Sequence, residues 1–207
     1  MRKLIITNSI LAFLLIGVFI LGYYFLMYPD DFTINRYIRD AEWTAFGLTF
    51  LGIFVGAIAL SFLPIKNYNQ KSKMAIFLVV LQGIFLVFLL FNVVVTYKQN
   101  KNYFNNLLSE YQQKADADIK SGFIEIEYAG GFELADEREL KMRIKIDSVR
   151  RTFGLSYKNS GCIVSAAITK AQEEYERLTK PYLDKRNGLG WKERMDQQIQ
   201  TIRHKYR

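Results

Sequence analysis

The chain has 207 residues but only one cysteine, Cys162, and one histidine, His204. A lone cysteine excludes an intrachain disulfide and any zinc site built from cysteines. A lone histidine three residues from the end argues against Cys–His or Ser–His–Asp catalysis, because the nucleophile needs an imidazole or comparable base beside it. Cys162, in the apolar run Cys162-Ile163-Val164, is expected to be a small buried side chain. Phosphate-binding chemistry is thin as well. Gly188-x-Gly190 is too short for a dinucleotide fingerprint and follows a helical pattern, and Gly130-Gly131 is followed by no Gly-Lys-Ser/Thr. Asp30-Asp31 is an adjacent carboxylate pair with no further ligands, which suits a helix cap better than a metal. Glu125 and Glu127 alternate with isoleucines, as a half-exposed strand requires. No cofactor, no metal and no catalytic residue is expected.

Charge is missing in a patterned way. No Asp, Glu, Lys, Arg or His lies within residues 4–28, 44–65 or 74–97. Each run is long enough to span a bilayer. Ion pathways, proton relays and voltage sensors place ionisable groups at that depth, so their absence argues for anchoring and against transport. Met1-Arg2-Lys3 resembles the basic start of a secretory signal. The apolar run after it exceeds a signal's core, and no small-x-small site follows, so an uncleaved signal-anchor is expected. Between the first two spans, Ile34, Tyr37, Ile38 and Ala41 share one face of a short interfacial helix, with Trp43 at headgroup level. In the second span Ala45, Thr49, Gly52, Gly56 and Ala59 form a small-residue stripe. Gly52 and Gly56 offer a close-approach seam, either for self-association or for a neighbouring span of the same chain. Gln82, inside the third span, is expected to bond a neighbouring helix.

The basic residues flanking the spans are evenly divided between the two sides. The purely basic flank of the first helix, against Pro29-Asp30-Asp31 at its far end, favours a cytoplasmic N-terminus. Three spans then place the C-terminal part outside the cytoplasm, in a bacterial inner membrane by expectation.

After residue 97 the helical spacing continues through Phe104, Leu107, Leu108 and Tyr111 with no glycine or proline break. Residues 98–120 read as a helical stalk, about 30 Å long at 1.5 Å per residue. Residues 121–207 read as a small soluble α+β domain. Residues 123–128 alternate as a strand. Residues 136–153 are expected to be helical, with Leu140, Ile144 and Val149 inward, although residues 141–146 also alternate like a strand. Gly154 stops that helix. Lys158-Asn159-Ser160-Gly161 has hairpin chemistry between residues 155–157 and 162–164. Residues 166–186 form a helix that Pro181 kinks or divides, and Trp191, Met195, Ile199 and Ile202 make one stripe of a final helix. The fold class is an α-helical three-span membrane anchor followed by a small α+β domain on a stalk.

Residues 177–207 hold nine basic and three acidic side chains. That balance suits an anionic partner, or simply a solvated helical surface; nucleic acid is not expected. The best local candidate for a site is Lys185, Arg186, Asn187, Gly188 and Trp191. Two cations, a turn with free N–H groups and an aromatic there suit an anion or a peptide carboxylate, and they equally suit a helix ending with Trp191 in the core.

The order Phe153-Gly154, Tyr157, Gly161-Cys162, Tyr175, Tyr182-Leu183, Lys185-Arg186-Asn187-Gly188 and Trp191 resembles the FEKKY domain of bacteria, over about the last 60 residues. Val149 to Phe153 departs from the pentapeptide that names that family. The resemblance implies a shared fold and no activity. A non-enzymatic, membrane-anchored interaction or binding module is the expected function. The alternatives are an enzyme with an unrecognised site in the soluble domain and a cytoplasmic basic domain binding anionic lipid.

Overall fold

The structure, a computed structural model, describes residues 2–31, 33–65, 68–131, 136–161 and 164–206. The chain forms two compact units, Met1–Lys101 and Asn102–Arg207.

Three helices dominate the first unit: α1 (Arg2–Leu26), α3 (Trp43–Ser61) and the first part of α4 (Gln70–Ser121), with α2 (Ile34–Asp40) between α1 and α3. All three are long and apolar enough to cross a membrane. Asn8 donates to the Ala75 carbonyl at 3.2 Å near the start of both α1 and α4, and Asn100 donates to the Leu26 carbonyl at 2.7 Å near the end of α1. α1 and α4 therefore run parallel. α3 runs against both: Phe46 stacks on Phe19 and lies beside Phe85, Gly56 lies against Leu81, and Lys73 donates to the Leu63 carbonyl. Of the two seam glycines, Gly56 thus has an intrachain neighbour, while Gly52 faces open space. Gln82 is buried, 2% exposed, yet its Oε1 has no hydrogen-bond partner.

The expected short helix forms, and its apolar face is divided. Tyr37 and Ala41 are buried, whereas Ile34 and Ile38 are exposed. Thr33 holds the N-cap position, and Asp30 pairs instead with Arg36 at 2.7 Å. An aromatic layer of Tyr23, Tyr24 and Tyr37 gathers here, with Phe25, Tyr28 and Tyr97 close by.

The second unit orders as the end of α4, β1 (Ile124–Tyr128), α5 (Glu137–Thr152), β2 (Leu155–Asn159), α6 (Ala166–Asn187) and α7 (Trp191–Tyr206). The strands pair in parallel, Ile124 opposite Leu155 through Tyr128 opposite Asn159, so β1–α5–β2 is a crossover unit. This replaces the expected hairpin. The turn-like residues prolong the parallel ladder: Ser160 N–H donates to the Tyr128 carbonyl and Gly130 N–H to that of Gly161. Cys162 and Ile163 lie outside the described residues. The core joins Ala115 of α4, Ile124, Ile146, Leu155, Tyr175, Leu183, Trp191, Met195 and Ile199. Each large apolar side chain buried there contributes about 1.5–3 kcal/mol.

Two helices correct their expected details. α5 buries Ile146, with Met142, Val149 and Phe153 packed against the core, while Leu140 and Ile144 are 53% and 61% exposed. The stripe 142–146–149–153 carries four apolar side chains toward the core, and the 140–144 stripe only two. α6 runs through Pro181 as one helix rather than opening a second piece. It buries Ala167, Ala171, Tyr175, Thr179 and Leu183 at four-residue steps.

Candidate functional site

The second unit is built on two glycines with positive φ. Gly122 (φ 78°) follows α4 and Gly154 (φ 74°) follows α5, so each releases a helix into a strand where a side chain would be strained. Both strands begin at this end, and Ile124 N–H donates to the Gly154 carbonyl at 2.8 Å. The end of α6 holds them together. Arg186 donates to the Gly122 carbonyl and to the Tyr182 hydroxyl, and its guanidinium occupies the space a Cβ on Gly154 would need. Asn187 donates to the Phe153 carbonyl at 3.0 Å.

The segment singled out in the sequence is therefore engaged with the chain itself. Trp191 is 4% exposed and its Nε1–H donates to Asp184 at 2.7 Å. Gly188 (φ 75°) closes α6 by donating to the Asp184 carbonyl, and Arg194 donates to the carbonyls of Asn187 and Leu189. Arg186 and Asn187 clamp the strand starts, while Gly188 and Trp191 close the end of α6 on Asp184. Only Lys185 has an exposed side chain with no partner among the described residues.

A polar cluster lies between α4, β1 and α6. Lys114 binds Glu127 at 2.6 Å and lies 3.6 Å from Glu125, and the Tyr111 hydroxyl donates to Glu127 at 2.9 Å. The Tyr175 hydroxyl donates to Asp118 and accepts from Glu125 N–H at 3.2 Å. Burial pushes the Glu127 carboxyl up, but the bonds from Lys114 and Tyr111 outweigh it and hold its pKa below the ordinary value. Burial and the bond to Glu127 push Tyr111 up to about 12. Burial and then Asp118 push Tyr175 up as well. Every member has a partner, so this cluster fastens α4 to β1 and α6.

The open feature is a cleft of about 500 Å³ between α6 and α7, floored by the strands. Its walls include Ile126, Leu155, Leu183, Trp191 and Met195. These apolar side chains are almost wholly covered except for Ile126, and charged side chains stand exposed around them; a concave site where polar groups converge over an apolar base is the usual form of a ligand site. Tyr157 lies in it with its ring under the Arg150 guanidinium, 4.2 Å away, and its hydroxyl bonds to no described residue. Burial, then the Glu176 and Asp196 carboxylates, raise the Tyr157 pKa against the opposing pull of Arg150. Glu173, Glu176, Lys180, Lys192 and Asp196 stand exposed on the rim without an ion-pair partner among the described residues. Arg177, also on the rim, is neutralised by Glu174 at 2.6 Å. Sequence reading missed these residues. The spacing 173–176–180–183 does place them on one face of α6, but it reads as an ordinary solvated edge until α7 is seen across the gap.

No described group of three or more Asp, Glu, His or Cys side chains is positioned to hold a metal. Comparison with protein-family models, with curated proteins and with solved structures finds no match.

Proposed function

We propose that this protein is a membrane-anchored binding module. Its three apolar helices hold it in a bilayer, and its C-terminal unit receives a ligand in the α6–α7 cleft. The cleft is the observation that carries the binding role: it has an apolar base, a Tyr157 hydroxyl with no partner among the described residues and rim charges with no ion-pair partner among them. The anchor rests on the outward faces of the helices. Phe13, Leu48, Leu51, Val87, Phe88 and Phe91 are exposed, apolar surface that lipid covers and water does not. The tyrosines and Trp43 at one end suit an interfacial belt. The basic flank at Arg2-Lys3 supports a cytoplasmic N-terminus with the second unit outside, and the FEKKY resemblance, which covers the second unit alone, suits a bacterial source. Self-association through Gly52 and Gly56 has less support, because Leu81 already covers Gly56.

Two measurements test this reading. Trp191 becomes the single tryptophan when Trp43 is replaced, since the chain has two. In lipid nanodiscs the Trp43→Phe chain is expected to show a saturable change in Trp191 emission with cyclohexanol, absent when Met195→Phe thickens the α7 wall of the cleft. Lack of any saturable change overturns the binding role. For orientation, a cysteine at Lys205 is expected to react with an impermeant maleimide in intact cells, and protection there places the unit in the cytoplasm.

A further inference from the structure

The rim charges of the cleft are sorted along its length. Glu173, Glu176 and Lys180 lie on one face of α6, and Lys192 and Asp196 face them from α7. Lys180 and Lys192 sit toward the turn at residues 188–190, where they also border a small recess with Asp184 and Glu193. Asp184 is engaged by Trp191. Toward the other end stand Glu173, Glu176 and Asp196, and Tyr157 lines the same cleft. The cleft is thus basic at its turn end, acidic at its other end and apolar between. From Lys180 to Glu173 is about 10 Å at 1.5 Å per helical residue, and from Lys180 to Glu176 about 6 Å. An extended peptide covers about 3.3 Å per residue, so two or three residues bridge those ends.

Building on the cleft-binding reading, we propose that the occupant is a short apolar peptide of two or three residues with both termini free. Its carboxylate lies at Lys180 and Lys192, its ammonium lies at Glu176, Asp196 and the Tyr157 hydroxyl, and its side chains rest on the half-buried Ile126 and the Tyr157 ring. Unpaired charges bordering an apolar cleft gain most from a ligand that supplies both opposite charges, because each carboxylate and ammonium then keeps a charge-assisted partner as water leaves.

The test uses the full Trp43→Phe chain in nanodiscs, with Trp191 emission as the signal and empty nanodiscs as control. Trileucine, N-acetyl-trileucine and trileucine amide are the probes. Trileucine is expected to bind saturably, and each blocked form at least tenfold more weakly. Glu176→Gln with Asp196→Asn is expected to abolish the difference between trileucine and its N-acetyl form while keeping the difference from the amide. Lys180→Met with Lys192→Met is expected to do the reverse. These are exposed positions, and unchanged far-UV dichroism checks the fold. Equal binding of the three peptides, or cyclohexanol binding with no peptide binding, overturns the peptide assignment and leaves the cleft reading standing. Absence of response to cyclohexanol and peptides alike overturns both.

Discussion

Gly154 and Arg186 share a space that admits only one of a Cβ and a guanidinium. Gly154→Ala adds both the strain of φ 74° and this collision. It is expected to destabilise the second unit by about 1–3 kcal/mol, read as faster amide exchange at Ile124 and Leu155. Combining it with Arg186→Ala relieves the collision but not the strain, so the pair is expected to be less than additive. Glu127 and Tyr111 contribute to the pH dependence of the same unit. The folded pKa of Glu127 is depressed, so its contribution is present above its unfolded value and is lost as pH falls through the folded one. The folded pKa of Tyr111 is raised to about 12, so its contribution is full below the unfolded value of about 10 and is lost as pH rises toward 12. Glu127→Gln is expected to flatten the acid limb of a stability–pH profile, and Tyr111→Phe the alkaline limb. At this scale the sequence was a fair guide to chemistry and a poor one to employment. Residues 185–191 were legible as cations, a turn and an aromatic, but nothing local revealed that two distant glycines would need them.

Among the elements, α5 shows how phase is decided. Leu140, Ile144 and Ile146 compete in the sequence, and the stripe that extends through Val149 to Phe153 prevails because it alone reaches β2 and α7. Ile146→Ala is therefore expected to cost about 2–5 kcal/mol and Ile144→Ala no more than about 0.5 kcal/mol, measured by the same exchange experiment. The strand pair was less legible. Asn159, Ser160 and Gly161 carry every local mark of a reversing turn. Whether such residues reverse the chain or extend a ladder depends on which strand lies alongside, and that strand, β1, ends at Tyr128, far before β2 begins at Leu155. At Pro181 the second helical piece does not form: the packing of Tyr175, Thr179 and Leu183 keeps α6 one helix across the missing N–H.

For the whole molecule, the three long apolar helices were plain from the sequence because charge is excluded from them over whole runs, a signal that needs no tertiary context. Val87, 67% exposed near the middle of the third apolar run, tests the lipid-facing reading. Val87→Arg is expected to disfavour insertion by about 2.5–3.5 kcal/mol, lowering the fraction of chain that resists alkaline carbonate extraction. The α6–α7 cleft was not legible, because a gap between helices is a property of their separation rather than of either sequence face.

The clamp at the strand starts also bears on how the protein is made. Synthesis is vectorial, and both strands leave the ribosome before the residues that bind their first turns, Arg186 and Asn187, and before Trp191, Met195 and Ile199, which complete their core. The apolar helices are produced first and can enter lipid while the rest is still being translated. The second unit stays unfinished until α7 has been made. A nascent chain stalled at residue 185 is accordingly expected to be cut by protease in the part of residues 122–185 that has left the ribosome. A chain extended through α7 is expected to resist there, which makes α7 the element that completes the unit.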